Sequence, residues 1–417
     1  MTETTPDSEK TAQEVRRRRV FYIPGYDPIH PRRYRELYRR EGAAQAGISG
    51  YALALRPRNG GGRYGWHVET DIAGARTAAE IEVLVWSDIV RDSMSNSIPG
   101  TYLQLVRTAW IYIASGALRR LMLLRKGPVI AALYPVGMLL LQLCVALGLL
   151  WAAVAVAGAL LGPVSGVLAR IVGYGAGGAA AVAALRWFRA KDNRLFAYYL
   201  MHDYAYSASC RGANPPALEA RMAVFGAEIA AALADDVDEV LIVGHSSGAH
   251  LAVSILADLI RAGRAPANGP RLAFLSLGQV VPMVSFLPGA HRLRADLHFL
   301  STRDEITWVD VTAPGDGCAF ALCDPVAVSG VAPERKRWPL VFSAQFTRSL
   351  SPELWRSLRW RFFRLHFQYL CAFDRPLDYD YFQITAGPLS LGTRYADRPP
   401  SASRIDVPVS KFTSMAA

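Results

Sequence analysis

Glu239-Val-Leu-Ile-Val243 runs directly into Gly244-His-Ser-Ser-Gly248, and this stretch decides how the chain is interpreted. The short run of aliphatic and β-branched residues predicts a buried strand. The residues that follow, Ala249–Ile260, favour a helix. A serine between two glycines at a strand-to-helix turn suits nucleophilic catalysis, because the glycines let the backbone turn sharply and leave the Ser246 hydroxyl exposed above the sheet edge. The first N–H groups of the helix would face negative charge that forms there.

The pattern of Gly244, Ser246 and Gly248 resembles the nucleophile elbow of the α/β-hydrolase superfamily. The resemblance implies an α/β fold with a doubly wound, mostly parallel sheet and a triad in the chain order serine, acid, histidine. It also implies an oxyanion hole of two backbone N–H groups, one of them from the residue after the nucleophile, Ser247. Strands that alternate with helices along the chain favour the same kind of sheet.

The triad order directs the search for an acid to residues downstream of Ser246. Asp316 is the expected acid, because it follows the predicted strand Ile306–Thr312 in a glycine-rich turn. Two other carboxylates remain candidates for the acid of the triad. Asp310 lies within that strand, where a structural hydrogen bond is its plainer role, and Asp324 precedes a proline and suits a turn.

His366 is the only histidine downstream of these acids and is therefore the expected base. A core histidine on an aromatic helix face is the alternative role for it. If the chain order did not hold, His291 or His298 would be the next candidates. His245 and His250 flank the nucleophile, and we expect the first to pack beside the turn and the second to lie on the helix.

The second oxyanion N–H is expected from the turn Pro24-Gly-Tyr-Asp-Pro28, which follows the predicted strand Val20–Ile23. Gly25 and Tyr26 are both open as the donor, and an ordinary strand-ending turn is the alternative. Each such donor typically contributes ~3 kcal/mol in the transition state. The five cysteines show no metal-ligand pairing with histidine. Nothing else in the sequence indicates a metal or an organic cofactor, so neither is expected.

A charge-free stretch covers residues 127–169, and a further apolar stretch follows a single arginine. A transmembrane helix needs about 20 apolar residues, so this region can hold two of them. The first expected span is Val129–Trp151, with Leu161 as its alternative end, and the second is Val164–Leu185. Gly162-Pro163 forms the expected turn between them. A buried hairpin in a soluble core is the alternative, but charge-free runs of this length are rare there.

Cationic residues flank both ends of this hairpin: Arg119, Arg120, Arg125 and Lys126 before it, and Arg186, Arg189, Lys191 and Arg194 after it. Cationic flanks remain on the cytoplasmic side, so the catalytic domain is expected in the cytoplasm, anchored to an inner or plasma membrane. The formal net charge of +11 favours attraction to anionic headgroups, with a solvated basic face as the alternative. No nucleic-acid module surrounds the amino-terminal arginine clusters, so nucleic acid is not an expected partner.

The expected organisation divides the chain into five parts. These are a disordered amino terminus (1–15), a first part of the hydrolase domain (16–100), an interfacial helix with the hairpin (101–195), the main part of the domain with the elbow (196–392) and a flexible tail (393–417).

Together these features predict a membrane-anchored serine hydrolase that forms an acyl-enzyme on Ser246. Its expected partners are the lipid bilayer and a small acyl-ester or thioester, lipid-like because of the anchor. A catalytically silent, membrane-tethered binding or scaffold protein is the alternative. The segment Gln279–Arg294 is either a lid or a plain connection. Pairs of glycines four residues apart in the hairpin predict helix packing or self-association: Gly158/Gly162, Gly162/Gly166 and Gly173/Gly177.

Overall fold

One eight-stranded sheet forms the centre of the protein in a computed structural model, which describes residues 14–58, 63–94, 97–266 and 268–416. The strands are β1 (Arg17–Ile23), β2 (Ala52–Pro57), β3 (Gly65–Ile72), β4 (Ala75–Val83), β5 (Glu239–His245), β6 (Arg271–Leu277), β7 (Ile306–Thr312) and β8 (Leu340–Ser343).

The strand order across the sheet is β2-β3-β4-β1-β5-β6-β7-β8. The six strands from β4 to β8 in this order pair in parallel, as the alternation of strands and helices predicted. β2 and β3 are antiparallel to their neighbours, because β2, β3 and β4 follow one another through connections too short for a parallel crossover. The sheet is therefore mostly parallel, with an antiparallel edge.

Helices connect and cover the strands. The longer ones are α1 (Arg32–Ser49), α2 (Ser87–Ser93), α3 (Ile98–Ala114), α4 (Ala117–Leu124), α5 (Lys126–Leu161), α6 (Gly166–Ala190), α8 (Ala197–Ser209), α9 (Pro216–Ala232), α10 (Gly248–Arg261), α12 (His291–Leu300), α15 (Pro352–Leu358) and α17 (Tyr381–Ala386). The shorter ones are α7 (Asp192–Leu195), α11 (Val281–Ser285), α13 (Pro325–Val328), α14 (Phe346–Ser349), α16 (Phe362–His366), a 3₁₀ turn (Gln368–Leu370) and α18 (Leu391–Arg394).

Both faces of the sheet are buried under helices. Alternate residues of β5 point to opposite sides: Val240 and Ile242 join one apolar core with α9, α10 and α12, whereas Leu241 and Val243 join a second core with α1, α16 and α17. A strand covered on both faces has no polar side, which is why β5 reads as a continuous apolar run.

The predicted hairpin consists of α5 and α6, which pack against each other over most of their length. Both helices are long and apolar enough to cross a membrane. Large apolar side chains on them face outward, including Trp151, Leu160 and Ile171, which are 74%, 72% and 66% exposed. Within α6, Gly173 and Gly177 are the residues that approach α5 closely, beside Val154 and Leu150.

The expected interfacial helix after residue 100 is two helices, α3 and α4. The break lies at Ser115-Gly116, where Gly116 adopts a left-handed φ of +75°. On α3, Leu103 and Trp110 are 70% and 71% exposed.

The two chain ends contact the body of the protein where they are described. Of the expected disordered segment 1–15, residues 1–13 lie outside the described part, while Val15 is buried and its N–H donates to the Pro388 carbonyl at 2.8 Å. In the segment expected as a flexible tail, the N–H groups of Ser401 and Ile405 donate to Val341 and Leu322. The domain boundaries drawn at 15 and 393 stay predictions.

Candidate active site

Ser246 lies at the tip of the turn between β5 and α10, with a left-handed backbone φ of +56°. Its N–H donates to the Leu277 carbonyl at 2.9 Å, which holds the turn against β6. The flanking glycines allow close packing: a Cβ on Gly248 would lie 2.1 Å from the Ile23 oxygen, and one on Gly244 would lie 2.8 Å from the backbone of Ala249. A non-glycine residue in this region of φ is uncommon and costs energy, and such residues concentrate at functional sites.

His366 and Asp316 form a buried pair, with 2.7 Å between His366 Nδ1 and Asp316 Oδ2. The carboxylate also accepts hydrogen bonds from the Tyr369 hydroxyl at 3.0 Å and from the Cys318 N–H at 2.9 Å. Burial alone would raise the pKa of Asp316, but His366 and these donors outweigh it and lower that pKa below its ordinary value. An ionised Asp316 accepts a hydrogen bond from the Nδ1–H of His366, so the Nε2 of His366 is left as the proton acceptor.

A pocket of about 790 Å³ lies over the elbow, and both Ser246 and His366 line it. The His366 ring packs closely on Gly278 at the carboxyl end of β6, where a Cβ would lie 3.0 Å from His366 Cε1. The structure thus places the expected nucleophile and the expected base at one pocket, with Asp316 hydrogen-bonded to the Nδ1 of His366.

The alternative acids and bases occupy other places. Asp310 is buried in β7, where burial raises its pKa to about 8, and it accepts a hydrogen bond from Ser276 at 2.5 Å. Asp324 caps α13. His291 and His298 are hydrogen-bonded to backbone carbonyl groups and do not line the pocket of Ser246 among the residues described.

The turn after β1 lies beside the nucleophile. A Cβ on Gly25 would be 3.0 Å from Ser246 Cβ and 3.4 Å from Ser246 Oγ. The backbone N–H groups of Gly25, Tyr26 and Ser247 donate to no acceptor within the described part of the chain. Three unused amides next to a serine hydroxyl are the donors that an oxyanion hole requires.

Two aromatic side chains that sequence reasoning missed hold this turn. The Trp86 indole N–H donates to the Pro24 carbonyl at 3.0 Å, and the Tyr199 hydroxyl donates to the Tyr26 carbonyl. Tyr199 lies on α8, directly after the hairpin, and no motif in the sequence marks it. Because a peptide group is planar, fixing the Pro24 carbonyl also fixes the direction of the Gly25 N–H, while the bond to the Tyr26 carbonyl holds the far side of the turn.

The His245 side chain is hydrogen-bonded to the backbone of His366, the expected base. Its Nε2 lies 3.0 Å from the His366 carbonyl oxygen, which can only accept, so Nε2 carries the proton. Burial, with a contribution from the neighbouring His366, lowers the pKa of His245 to about 3. The expectation that His245 packs beside the turn agrees with its ring, whose centroid is 4.8 Å from that of His366, but sequence reasoning missed the hydrogen bond.

Asp203 is a second pocket residue that sequence reasoning missed. It lies on α8 and lines the pocket together with Ser246 and His366. Burial raises the pKa of its carboxyl to about 7, although His366 opposes the shift. Among the described residues it has no hydrogen-bond or ion-pair partner. An isolated acid on a helix gives no signal in a sequence.

The segment Gln279–Arg294 is packed into the protein. It contains α11 and the start of α12, and the buried Arg294 guanidinium donates to the carbonyl groups of Ser285, Leu287 and Pro288. Its Met283 side chain lines the pocket.

One group of side chains has the composition of a metal site. Ligand atoms of Asp316, Cys318 and His366 lie within 4.8 Å of one another. Asp316 and His366 already bond to each other, and burial raises the pKa of the Cys318 thiol well above its ordinary value, which disfavours a thiolate ligand.

No protein-family model, curated protein or solved structure matches this chain. The geometry of the site is therefore the ground for assigning a chemistry to it. A serine at a strained turn, a histidine with one nitrogen held by a carboxylate, and free amides beside the hydroxyl are together suited to acyl transfer.

Proposed function

We propose that this protein is a membrane-anchored serine hydrolase of the α/β-hydrolase kind, cleaving an ester or thioester through an acyl-enzyme on Ser246. The observation that carries the proposal is that Ser246, with a left-handed backbone conformation between β5 and α10, lines one pocket with His366. His366 in turn is hydrogen-bonded to the buried Asp316. The unused amides beside the hydroxyl support the same chemistry.

In this mechanism His366 Nε2 accepts the proton of Ser246 as its oxygen attacks the substrate carbonyl carbon. Asp316 keeps the proton on Nδ1 and stabilises the imidazolium that forms. The amides of Ser247 and of Gly25 or Tyr26 bind the oxyanion of the tetrahedral intermediate. His366 then protonates the leaving alcohol or thiol. In the second step His366 deprotonates a water that attacks the acyl-serine carbonyl carbon, and it returns the proton to Ser246 Oγ as the acid is released.

The anchor in this proposal is the hairpin α5–α6, with its exposed apolar surface. The cationic residues on both outer flanks of the hairpin support a cytoplasmic location for the catalytic domain. An enzyme held at a bilayer meets amphiphilic substrates at high local concentration, which favours a lipid-like ester.

Labelling of isolated membranes with a fluorophosphonate probe tests the proposal. Wild type should be labelled, and both Ser246→Ala and His366→Ala should abolish the labelling, because the probe reports an activated serine. The matched controls Ser207→Ala, at another serine of the pocket, and His298→Ala, at a histidine outside it, should retain labelling.

The other results are equally informative. A folded, membrane-embedded wild type that is not labelled would contradict the mechanism and favour a binding or scaffold protein. Labelling that survives His366→Ala would keep the hydrolase but exclude His366 as its base.

A further inference from the structure

The base of the hairpin forms part of the pocket wall. Pro128, near the start of α5, and Asn193 and Phe196, just after α6, all line the pocket of Ser246. The Phe196 ring packs on Phe363 of α16, the helix that carries His366, with 4.8 Å between ring centroids. The cavity and the anchor are therefore continuous.

The lengths of the two helices place the pocket at the membrane surface. The 25 residues of α6 span ~37 Å, against a hydrocarbon thickness of ~30 Å. The 36 residues of α5 span ~54 Å, and its first turns pack against the protein, with Leu139 fully buried beside Leu105 and Met201. Because α6 ends at Ala190, three residues before Asn193, the pocket wall lies where the hairpin leaves the hydrocarbon region.

A segment beside the pocket has the composition of a membrane-interface element. We name residues 354–364 the Trp360 segment; it reads Leu354-Trp-Arg-Ser-Leu-Arg-Trp-Arg-Phe-Phe-Arg364. Trp360 and Phe362 are 73% and 47% exposed. Exposed aromatic residues interspersed with arginines favour the headgroup level of a bilayer, and the attraction is stronger for anionic lipid.

One cation of this segment is left unpaired at the pocket. Arg33 and Arg40 also line the cavity, but they pair with Asp27 at 3.0 Å and with Glu41 at 2.9 Å. Arg364 is exposed and forms no ion pair with any carboxylate in the described ranges. Arg364 lines the same cavity as Ser246 and His366, so a group bound to it would share one pocket with the reacting ester.

We propose that the pocket takes an ester lipid with an anionic headgroup directly from the adjoining bilayer leaflet. Arg364 binds the headgroup, while Phe196, Phe363 and Leu200 contact the acyl chain as it passes from the hairpin base into the pocket. This inference rests on the proposed function and specifies its substrate class.

Competition within one membrane tests it. The full-length protein is reconstituted in vesicles of equal parts phosphatidylglycerol and phosphatidylcholine, and fatty-acid release from each lipid is followed by mass spectrometry. Both lipids share one surface, so the ratio of release rates is the ratio of their kcat/KM values. Wild type should prefer the anionic lipid by ~10-fold, as expected for one charge-assisted contact, and Arg364→Gln should bring the ratio close to one.

Two further variants separate binding from folding. Arg364→Lys, which keeps the charge, should retain part of the preference. Arg356→Gln is the matched control, because Arg356 belongs to the Trp360 segment, pairs with Glu353 and does not line the pocket, and it should leave the ratio unchanged.

Several outcomes would overturn the inference: a wild-type ratio near one, an equal loss in Arg356→Gln, or equally fast hydrolysis of a short-chain, water-soluble phosphatidylglycerol, which would place the source in solution. Probe labelling of Ser246 without fatty-acid release from either lipid overturns the inference alone. Absence of both labelling and release overturns the proposed function itself.

Discussion

Ser246 and Gly25 show how little space the site leaves for side chains. Ser246 adopts a left-handed conformation at the elbow, and Gly25 faces it across a gap that a single methyl group would fill. The rest of the turn after β1 is held from outside by Trp86 and Tyr199, so Gly25 cannot move away freely.

Gly25→Ala should therefore impair catalysis more than folding. The new methyl would lie 3.0 Å from Ser246 Cβ and 3.4 Å from Oγ, displacing either the hydroxyl or the amides of the turn. We expect kcat to fall by about 10²-fold, the usual effect of losing one oxyanion donor. Gly47→Ala in α1 is the control, because a Cβ there has no atom within 4 Å; equal kcat values for the two variants would contradict the role of the turn.

Asp203 makes stability depend on pH. Burial raises its pKa from 3.8 to about 7, so between about pH 4 and pH 7 the folded protein holds a proton that the unfolded chain has lost. The folded state is stabilised relative to the unfolded one at low pH, and that advantage disappears as the pH rises through this window.

Asp203→Asn should remove this dependence. The difference in unfolding free energy between the variant and wild type should be larger at pH 8 than at pH 4, in favour of the variant, by roughly 1–3 kcal/mol. Thermal unfolding in detergent at a series of pH values measures the difference. The exposed Asp397→Asn is the control. A gap between Asp203→Asn and wild type that does not change with pH would show that the Asp203 carboxyl ionises in the folded protein as readily as in solvent.

At the scale of elements, the hairpin is a packed pair rather than two independent helices. α6 meets α5 through small residues, and Gly177 is the closest of them: a Cβ there would lie 2.8 Å from Leu150 Cδ1 and 2.9 Å from its carbonyl oxygen. The pair Gly173/Gly177 thus packs α6 against α5 within the chain, which is the helix packing that the glycine spacing predicted as an alternative to self-association. Self-association through the other glycine pairs stays a prediction.

Gly177→Leu should separate α5 from α6, because the backbones could no longer approach. We expect a loss of about 1–3 kcal/mol in stability, seen as a lower midpoint of thermal unfolding in detergent. Gly175→Leu is the matched control on the same helix, since nothing lies within 4 Å of a Cβ at Gly175. Equal effects of the two substitutions would mean that bulk on α6, and not contact with α5, destabilises the protein.

At the scale of the whole molecule, a buried ion pair between β1 and β5 ties residues 387–391 to the centre of the sheet. Arg18 on β1 and Glu239 on β5 are at most 1% exposed, with 2.5 Å between Arg18 Nε and Glu239 Oε2. Arg18 also donates to the carbonyl groups of Gly387 and Leu389, and Glu239 accepts from the Leu391 N–H. The carboxyl-terminal part of the chain is thereby held at the end of β5 opposite Ser246.

Glu239→Gln should destabilise the whole fold by about 3–5 kcal/mol, because the Arg18 charge would remain buried without its counter-ion. Glu353→Gln, which removes one partner of an exposed pair with Arg356, should cost no more than ~0.5 kcal/mol. Chemical unfolding of both variants provides the comparison. Similar midpoints would mean that the backbone carbonyl groups alone compensate the Arg18 guanidinium.

Much of the fold follows from periodicity. The apolar run of β5, the strand β7 and the charge-free hairpin are local patterns, and each forms the element that it predicts. Element ends were less well predicted: the single interfacial helix expected after residue 100 is two helices, α3 and α4, because Gly116 adopts a left-handed conformation between them. The antiparallel arrangement of β2 and β3 was not predicted, although the short connections between β2, β3 and β4 require it.

The sequence by itself determined which residues stand at the strand-to-helix turn, that one histidine follows the candidate acids, and that two apolar helices lie between the early strands and the elbow. These are properties of composition, spacing and order, which neighbours along the chain decide. Only the tertiary structure decided that Asp316, and not Asp310 or Asp324, meets His366, that His245 holds the carbonyl of His366, and that Asp203 and the hairpin base border the pocket. Those contacts join residues dozens of positions apart, and they form only when the parallel sheet brings the carboxyl ends of β1, β5, β6 and β7 to one edge.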